Sequence, residues 1–194
     1  MSPRRCAWPG DEPLLLAYHD TEWGVPLYDD RRAFEFLVLE TMQAGLSWLI
    51  VLRKREGMRR AFEGFQPERV ARFDARRVRR LLQDASIIRN RQKIEAAVEN
   101  ARAFLRLRGR GGFSRFMWDQ IGGRPIVNAW RSLPQLPATT PDSDRISRAL
   151  KAEGFRFIGS TVCYAHMQAT GMVNDHLTTC FRYRQVQRMA RRRL

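Results

Sequence analysis

Two cysteines and two histidines, placed in pairs near opposite ends of the chain, have the spacing of metal ligands. Cys6 and His19 form a C-x12-H pair, and His176 and Cys180 form an H-x3-C pair within NDHLTTC. Structural zinc takes thiolate sulfur and imidazole nitrogen in a closed tetrahedron, and a His and a Cys one helical turn apart can both reach it. The alternative for each pair alone is a buried thiol with a hydrogen-bonded histidine. Taken together, the four residues suggest a metal site that ties the N-terminal segment to the C-terminal one.

The remaining cysteine and histidine suit the interior better than a metal. Cys163 and His166 lie in the apolar run FIGSTVCYAHM, so core packing is expected for Cys163. Three cysteines are an odd number, and the sequence MSPRRCAWPGDE has no apolar signal-peptide core. We therefore expect reduced thiols or metal ligands in place of disulfides, and a cytoplasmic location.

One carboxylate lies on the core side of a predicted helix. In AFEFLVLETMQAG, a rotation of about 100° per residue puts Glu40 among apolar neighbours, whereas Arg31, Arg32 and Glu35 gather on the opposite face. A buried carboxylate is costly unless a cation or a hydrogen-bond donor meets it. Glu40 is therefore either one half of a salt bridge or a residue of a functional site.

Aromatic residues are concentrated near these candidates. Trp8 and Tyr18 flank the two N-terminal ligand candidates, Trp23 follows them, and Trp48 comes after the Glu40 helix and a QAGLS turn. Core filling is the simple interpretation. The alternative is an aromatic pocket with one carboxylate at its base, which would suit a flat, electron-poor or cationic ring.

A basic segment in the middle of the chain has the pattern of two helices joined by a short hairpin. The sequence LLQDASIIRNRQKIEAAVENA, residues 81–101, places Arg89, Arg91 and Lys93 at the start of the second helix. Free amides at a helix N-terminus, with basic side chains beside them, favour binding of phosphate. The alternative is a helix end that is simply solvated.

Helical periodicity positions all of these residues, because strand-like alternation is rare and short. The predicted helices are 13–22, 31–45, 47–56, 57–63, 67–72, 74–84, 89–107, 112–121, 142–153, 155–170 and 173–179. Residues 130–144 are rich in proline, serine and threonine and are expected to be a surface connection. The basic tail 184–194 is expected to be loosely held. The fold class is all-α.

The composition favours a polyanionic partner. The chain has 194 residues, a net charge of +15 and an isoelectric point near 11.2, with 44% apolar residues, which is enough for a packed core. Nucleic acid is a better match for this charge than an acidic membrane surface. The excess of arginine over lysine can also reflect the codon bias of a GC-rich genome. No stretch approaches the length of a membrane span.

The motifs together resemble those of a known family. The sequences RCAW, LAYHDTEWGVP, LETMQAGLSW, VLRKRE, DASIIRNRQKI and VNDH-x3-C occur in this order over about residues 4 to 183. They closely resemble bacterial 3-methyladenine DNA glycosylase I of the helix-hairpin-helix superfamily. The resemblance implies the helix-hairpin-helix glycosylase fold for a single domain, residues 1–183, followed by the tail 184–194. The domain would consist of two helical lobes, and a metal would join its N- and C-terminal segments.

Several roles follow from the resemblance, residue by residue. It implies structural Zn²⁺ at Cys6, His19, His176 and Cys180. It implies that Glu40 hydrogen-bonds the damaged base, helped by Tyr18, with Trp48 stacking on it and Trp8 lining the pocket. Segment 84–93 is expected to grip the DNA backbone.

The expected activity is excision of N3-methyladenine from alkylated double-stranded DNA by a monomeric enzyme. The nucleotide would be extruded and the glycosidic bond hydrolysed, which leaves an abasic site without strand cleavage. Gln43 and Leu46 are candidates to fill the gap left in the duplex. The family commonly has a small residue, then Gln or an aromatic, where this chain has Thr41 and Met42, so these two are expected to bear on lesion preference. The rival interpretation is a zinc-containing binding module without catalysis, which would not require Glu40 in the pocket.

Overall fold

A computed structural model describes residues 3–191, and within them helices carry almost all of the regular structure. Ten α-helices follow in the order α1 (Pro13–Thr21), α2 (Asp30–Gln43), α3 (Trp48–Ala61), α4 (Pro67–Val70), α5 (Ala75–Leu81), α6 (Arg91–Arg108), α7 (Phe113–Asp119), α8 (Pro141–Ala152), α9 (Ser160–Ala169) and α10 (Phe181–Arg191). Two short strands, β1 (Ile126–Val127) and β2 (Val173–Asn174), pair in parallel. The prediction of a mostly α-helical protein is confirmed.

Local sequence explains where the main helices begin. The side chains of Asp29, Ser47, Asp74 and Asn90 cap α2, α3, α5 and α6 by accepting hydrogen bonds from backbone N–H groups of the first turn. Thr140 caps α8 in the same way, with proline at its first position. These caps fix the start of each helix that carries a candidate site residue in the middle of the chain.

Three element predictions are wrong. The predicted helices 47–56 and 57–63 are one continuous helix, α3. The helix predicted over 155–170 begins only at Ser160, after a loop that contains two glycines and Phe157 at φ +59°. The helix predicted over 173–179 does not exist: β2 and a turn occupy it, and the Asn174 side chain accepts from the His176 N–H and donates to the Tyr183 carbonyl.

The C-terminal tail also differs from its prediction. Most of it belongs to α10, where Val186 is buried and anchors the helix to the body of the protein. Residues 192–194 lie outside the described part. The division into a domain, 1–183, and a tail stays a prediction, as does the separation of the domain into two lobes.

Helix α2 is the central element of the molecule. Every side chain from Ala33 to Met42 is buried, and α3, α6, α7 and α9 all pack against this helix. Glu35, predicted on its polar face, is covered by α3, where it accepts hydrogen bonds from Arg55 at 2.8 Å and Arg59 at 2.6 Å. Paired cations of this kind make a buried carboxylate tolerable. Because α2 is held on all sides, the side chains at its C-terminal end have a rigid support.

The turn between α5 and α6, residues 82–90, is fixed against α3. The Lys54 ammonium donates to the Ala85 carbonyl at 2.6 Å. Gly57 packs so closely on this turn that a Cβ there would lie 2.3 Å from the Ser86 carbonyl oxygen. A larger residue at position 57 would therefore push the turn away from the body of the protein.

Candidate functional site

The two ends of the chain meet at a buried cluster of four potential metal ligands. One ligand atom from each of Cys6, His19, His176 and Cys180 lies within 4.8 Å of the others, and all four side chains are buried. The Cys180 Sγ lies 3.6 Å from the His19 Nε2 and 3.6 Å from the His176 Nδ1, and the Cys6 Sγ lies 3.8 Å from the latter. Bonds of about 2.3 Å to sulfur and about 2.0 Å to nitrogen in a tetrahedron place such atoms roughly 3.5 Å apart, so the donor set fits one zinc-sized ion.

The surroundings of the cluster orient both imidazoles for metal binding. The His19 Nδ1 donates to Asp20 at 2.8 Å, and Asp20 is in turn held by Arg5 at 2.7 Å. The His176 Nε2 donates to the Trp23 carbonyl at 3.0 Å. Each ring therefore turns its other nitrogen inward, as metal-ligating histidines do. Hydrogen bonds from Cys6 and then from the imidazoles lower the pKa of the Cys180 thiol well below its usual range, towards the thiolate that binds metals.

Beside this cluster lies a cavity of about 350 Å³ with aromatic walls. Its lining includes all four residues predicted for base binding: Trp8, Tyr18, Glu40 and Trp48. Tyr18 lies between Trp8, predicted to line the pocket, and Trp48, predicted to stack on the base, with ring centroids 6.3 Å and 5.2 Å away. The cavity is of a size that takes a small ligand, and its walls suit a flat ring.

Among the residues that the structure describes, Glu40 is the one carboxylate that lines this cavity. The residue is 5% exposed, and burial alone accounts for the shift of its pKa, with no hydrogen bond or ion pair to another residue of the described range 3–191. Burial raises the pKa of the Glu40 carboxyl to about 8. Of the two interpretations left open by the sequence, the salt bridge is thus wrong: the cation-paired carboxylate of α2 is Glu35, and Glu40 is free to act on a ligand.

Two of the residues that line the pocket carry donors without partners, and the phenol of a third keeps its proton. The indole Nε1 atoms of Trp8 and Trp48 are buried and make no hydrogen bond. Burial, and then the neighbouring Glu40, raise the pKa of Tyr18 well above its usual value, so its phenol keeps its proton. A buried donor left unpaired is costly, so each of these indoles lowers the stability of the fold.

The predicted DNA contacts fall into two groups. Gln43 lines the cavity, and Leu46 stands 38% exposed on the turn between α2 and α3. Arg89 and Arg91 are exposed beside the α5–α6 turn, and Arg91 pairs with Glu95 at 3.3 Å. These four remain candidates for contacts with DNA.

Lys93 has a different place from the one predicted. It is 5% exposed, and its ammonium donates to the Met42 carbonyl at 2.9 Å and the Ala44 carbonyl at 2.5 Å. A cation at this position satisfies carbonyls at the C-terminal end of α2. Lys93 therefore joins the start of α6 to the end of the helix that carries Glu40, and its charge does not face solvent.

The two residues expected to bear on lesion preference belong to the core. Thr41 is 1% exposed and donates to the Leu37 carbonyl, and Met42 is fully buried. Neither lines the cavity. As expected, Cys163 is a core residue, with no exposure.

Part of the pocket was not predicted from the sequence. Leu133 and Leu136, from the segment expected to be only a surface connection, form one wall. Ala165 and Gln168 of α9 form another. The helical spacing of three residues between these last two could have marked a shared face, but nothing in the sequence indicates that this face meets Glu40.

The comparisons agree with this geometry. A model of a protein family described as methyladenine glycosylase matches residues 8–183. The chain is 48% identical over 180 residues to DNA-3-methyladenine glycosylase 1 of Escherichia coli (strain K12), covering 92% of this chain and 96% of that protein.

Solved structures match it as well. A crystal structure of 3-methyladenine DNA glycosylase I has a TM-score of 0.90 and 49% identity, covering 92% of this chain and 98% of the other. A structure described as the structural basis of 3-methyladenine recognition by the Staphylococcus aureus enzyme has a TM-score of 0.88 and 35% identity, covering 91% and 95%. With its pocket, its ligand cluster and these matches over nearly its whole length, the chain belongs to the methyladenine glycosylase family.

Proposed function

We propose that this protein is a DNA glycosylase that removes N3-methyladenine from alkylated double-stranded DNA. The observation that supports this most strongly is the aromatic cavity with the buried, unpaired carboxylate of Glu40 in its lining. A base alkylated at N3 is flat and positively charged, so it matches both features. Relatives named for this activity support the same substrate.

The reaction needs little from the protein beyond positioning and recognition. The protein turns the damaged nucleotide out of the duplex and into the pocket. There the base stacks on Trp48 and forms a hydrogen bond with the Glu40 side chain. The bond between C1′ and N9 breaks, and its electron pair neutralises the base, which leaves as 3-methyladenine. A water oxygen bonds to C1′ and releases its proton to solvent, which gives the abasic site. Ordinary adenine lacks the charge and gains less from the pocket, so selection comes from differential binding.

The proposal includes hydrolysis without strand cleavage. A lyase forms a Schiff base between the sugar and an amine. Lys54 donates to Ala85, Lys93 is buried against the end of α2, and Lys151 is exposed on α8, so no lysine lines the described cavity. Borohydride should therefore trap no covalent complex with the DNA product.

The cluster at the chain ends is proposed to hold structural Zn²⁺. Two thiolates and two imidazoles complete a closed tetrahedron and leave no position for substrate. The ion would hold the N-terminal segment against the segment before α10, and its role would be structural and not catalytic. It would keep Trp8, two residues after Cys6, and Tyr18, next to His19, in the pocket wall.

The edge of the protein that carries the end of α2 is proposed to face DNA. The hydrogen bonds of Lys93 place the start of α6 beside the turn that carries Gln43 and Leu46. The exposed arginines of the α5–α6 hairpin and the Leu46 side chain therefore lie on the same side of the protein. We assign this hairpin as the helix-hairpin-helix element. None of the described helices is both long and apolar enough to cross a membrane. A monomer is proposed to act on DNA in the cytoplasm.

Leu46 is expected to enter the duplex where the base has left it. A second cavity of about 410 Å³ connects its side chain with Glu40 and Gln43. The Leu46→Ala variant should fold with nearly unchanged stability, because the side chain is exposed, and release the damaged base about tenfold more slowly, because the unstacked gap stays unfilled. Single-turnover rates on methylated duplex DNA measure this. Leu14→Ala, with 37% exposure on α1, is the matched control and should behave like the native protein. Equal rates for both variants would assign Leu46 no role in extrusion.

The direct test of the activity uses duplex DNA treated with a methylating agent. Bases released by the purified protein are separated by chromatography, and the DNA is examined for abasic sites and for nicks. The proposal predicts 3-methyladenine as the main base, with one abasic site for each base released. Tight binding of the DNA without release of any base would support the binding module instead.

A further inference from the structure

We propose that Gln168 is a further specificity-determining residue, whose amide oxygen accepts a hydrogen bond from the 6-amino group of the extruded base. This inference rests on the proposed function and deepens it. It assigns to this pocket a preference for alkylated adenine over alkylated guanine.

Gln168 is placed to contact the base. It lies on α9, is half-buried, and lines the same cavity as Glu40 and the stacking rings. Its backbone carbonyl accepts a hydrogen bond from the Gly24 N–H at 3.0 Å, which ties α9 to the segment after the metal ligand His19. The side chain therefore starts from a fixed point in the pocket wall.

A buried carboxylate fixes the orientation of the amide. The Gln168 Nε2 donates to the Asp175 Oδ2 at 2.8 Å, and Asp175 is 1% exposed. The Tyr164 hydroxyl donates to the same oxygen at 2.6 Å, and Asn128 and Trp130 donate to the other at 2.7 and 2.8 Å. Four donors converge on this carboxylate, so it acts as an acceptor at every contact.

The consequence is that the Gln168 amide cannot present its nitrogen to the pocket. Reversal of the amide would place its oxygen against the Asp175 oxygen, two acceptors without a proton between them. The Gln168 Oε1 is thus the polar atom left for the cavity, and it has no hydrogen-bond donor among the described residues. Glu40, in the ionised form that meets the cationic base of the proposed substrate, is an acceptor too.

Two acceptors in one pocket select for an amino group. The 6-amino group of adenine carries two N–H bonds and can donate to both. Guanine has a carbonyl oxygen at that ring position, which would face the acceptors and leave them unpaired. A site built to pair with a donor discriminates strongly against a base that lacks it, because its buried polar groups then lose their partners.

The test uses the native protein and Gln168→Leu on duplex DNA that contains both 3-methyladenine and 3-methylguanine. Single-turnover rates are measured for each base in the same reaction. We expect the variant to release 3-methyladenine about tenfold more slowly and 3-methylguanine no more slowly than the native protein, so that the ratio of the rates falls about tenfold or more. Gln187→Leu, another half-buried glutamine on α10, is the control and should keep the native ratio.

A second variant tests the orientation of the amide. In Asp175→Asn the new amide can donate to the Gln168 Oε1, which turns the Gln168 nitrogen toward the pocket and should shift the ratio in the same direction. A proportional loss of both rates in folded Gln168→Leu would overturn the inference and leave the proposed function intact. Failure of the native protein to release 3-methyladenine would overturn both.

Discussion

The Glu40→Gln variant is expected to release 3-methyladenine about a hundredfold more slowly than the native protein under single-turnover conditions. The substitution keeps the shape of the side chain and removes the buried carboxylate of the pocket, which we propose meets the cationic base. Loss of one preorganised electrostatic contact of this kind costs about 10²-fold or more in rate. The measurement is the rate of base release at saturating protein.

The pH dependence of the two proteins should differ as well. The pKa of about 8 means that Glu40 holds its proton in most of the free protein at neutral pH. Because kcat/KM reports groups of the free enzyme, it should rise with pH as Glu40 ionises, up to about pH 8, and be flat over that range for Glu40→Gln. A rate for the variant within threefold of native, with the same pH profile, would contradict the role of Glu40.

The same substitution should stabilise the fold. A carboxyl whose pKa is raised by folding contributes most to stability at a pH below its pKa in the unfolded chain, which is near 4.5. That contribution is lost as the pH rises towards the folded-state pKa of about 8. Glu40→Gln removes this loss. Its stability relative to native should therefore increase between about pH 5 and pH 8, by an amount on the order of 3 kcal/mol at pH 7. Thermal unfolding at several pH values measures this, and it also shows that lost activity does not come from unfolding.

Removal of one ligand from the metal cluster is the second large effect we expect. Cys180→Ala would leave three ligands for the proposed ion and should lower zinc content and thermal stability together, since binding energy at a structural site is also folding energy. A fall in Tm of more than about 10 °C corresponds to the loss of several kcal/mol in a chain of this size. Metal analysis and thermal unfolding give the two values, and a chelator should lower the Tm of the native protein but not of the variant.

The chain provides a matched control for this experiment. Cys163 is as buried as Cys180 and lies outside the cluster. Cys163→Ala should lose some stability through the cavity it creates while keeping one zinc ion for each chain. Native protein produced with zinc that contains none, and is as stable as Cys180→Ala, would show that the cluster holds no structural ion.

Sequence patterns were sufficient where chemistry and local structure agree. Four candidate ligands were predicted from residue type and spacing, and the structure brings these side chains together although they come from opposite parts of the chain. Glu40 was placed on the core side by helical periodicity, and it is buried there. The capping residues predicted the first residues of α5 and α8 to within one position of where these helices begin.

The errors arise where tertiary contacts override local preference. Lys93 has the sequence context of an exposed phosphate ligand, but the end of α2 offers it two carbonyls. The segment after Met172 lacks helical structure because β1 pairs with it and Asn174 bonds its own neighbours. Gln168 stands in a run that resembles core, and only the fold brings Asp175 to its amide.

The central claim is that the Glu40 pocket recognises 3-methyladenine, and calorimetric titration of the free base tests it most directly. Native protein and Glu40→Gln are each titrated with 3-methyladenine and with adenine at the same pH and salt. We predict measurable binding of 3-methyladenine to the native protein, weaker binding of adenine, and at least tenfold weaker binding of 3-methyladenine to the variant. Equal affinity of both proteins for 3-methyladenine, or no binding to the native protein, would contradict the account.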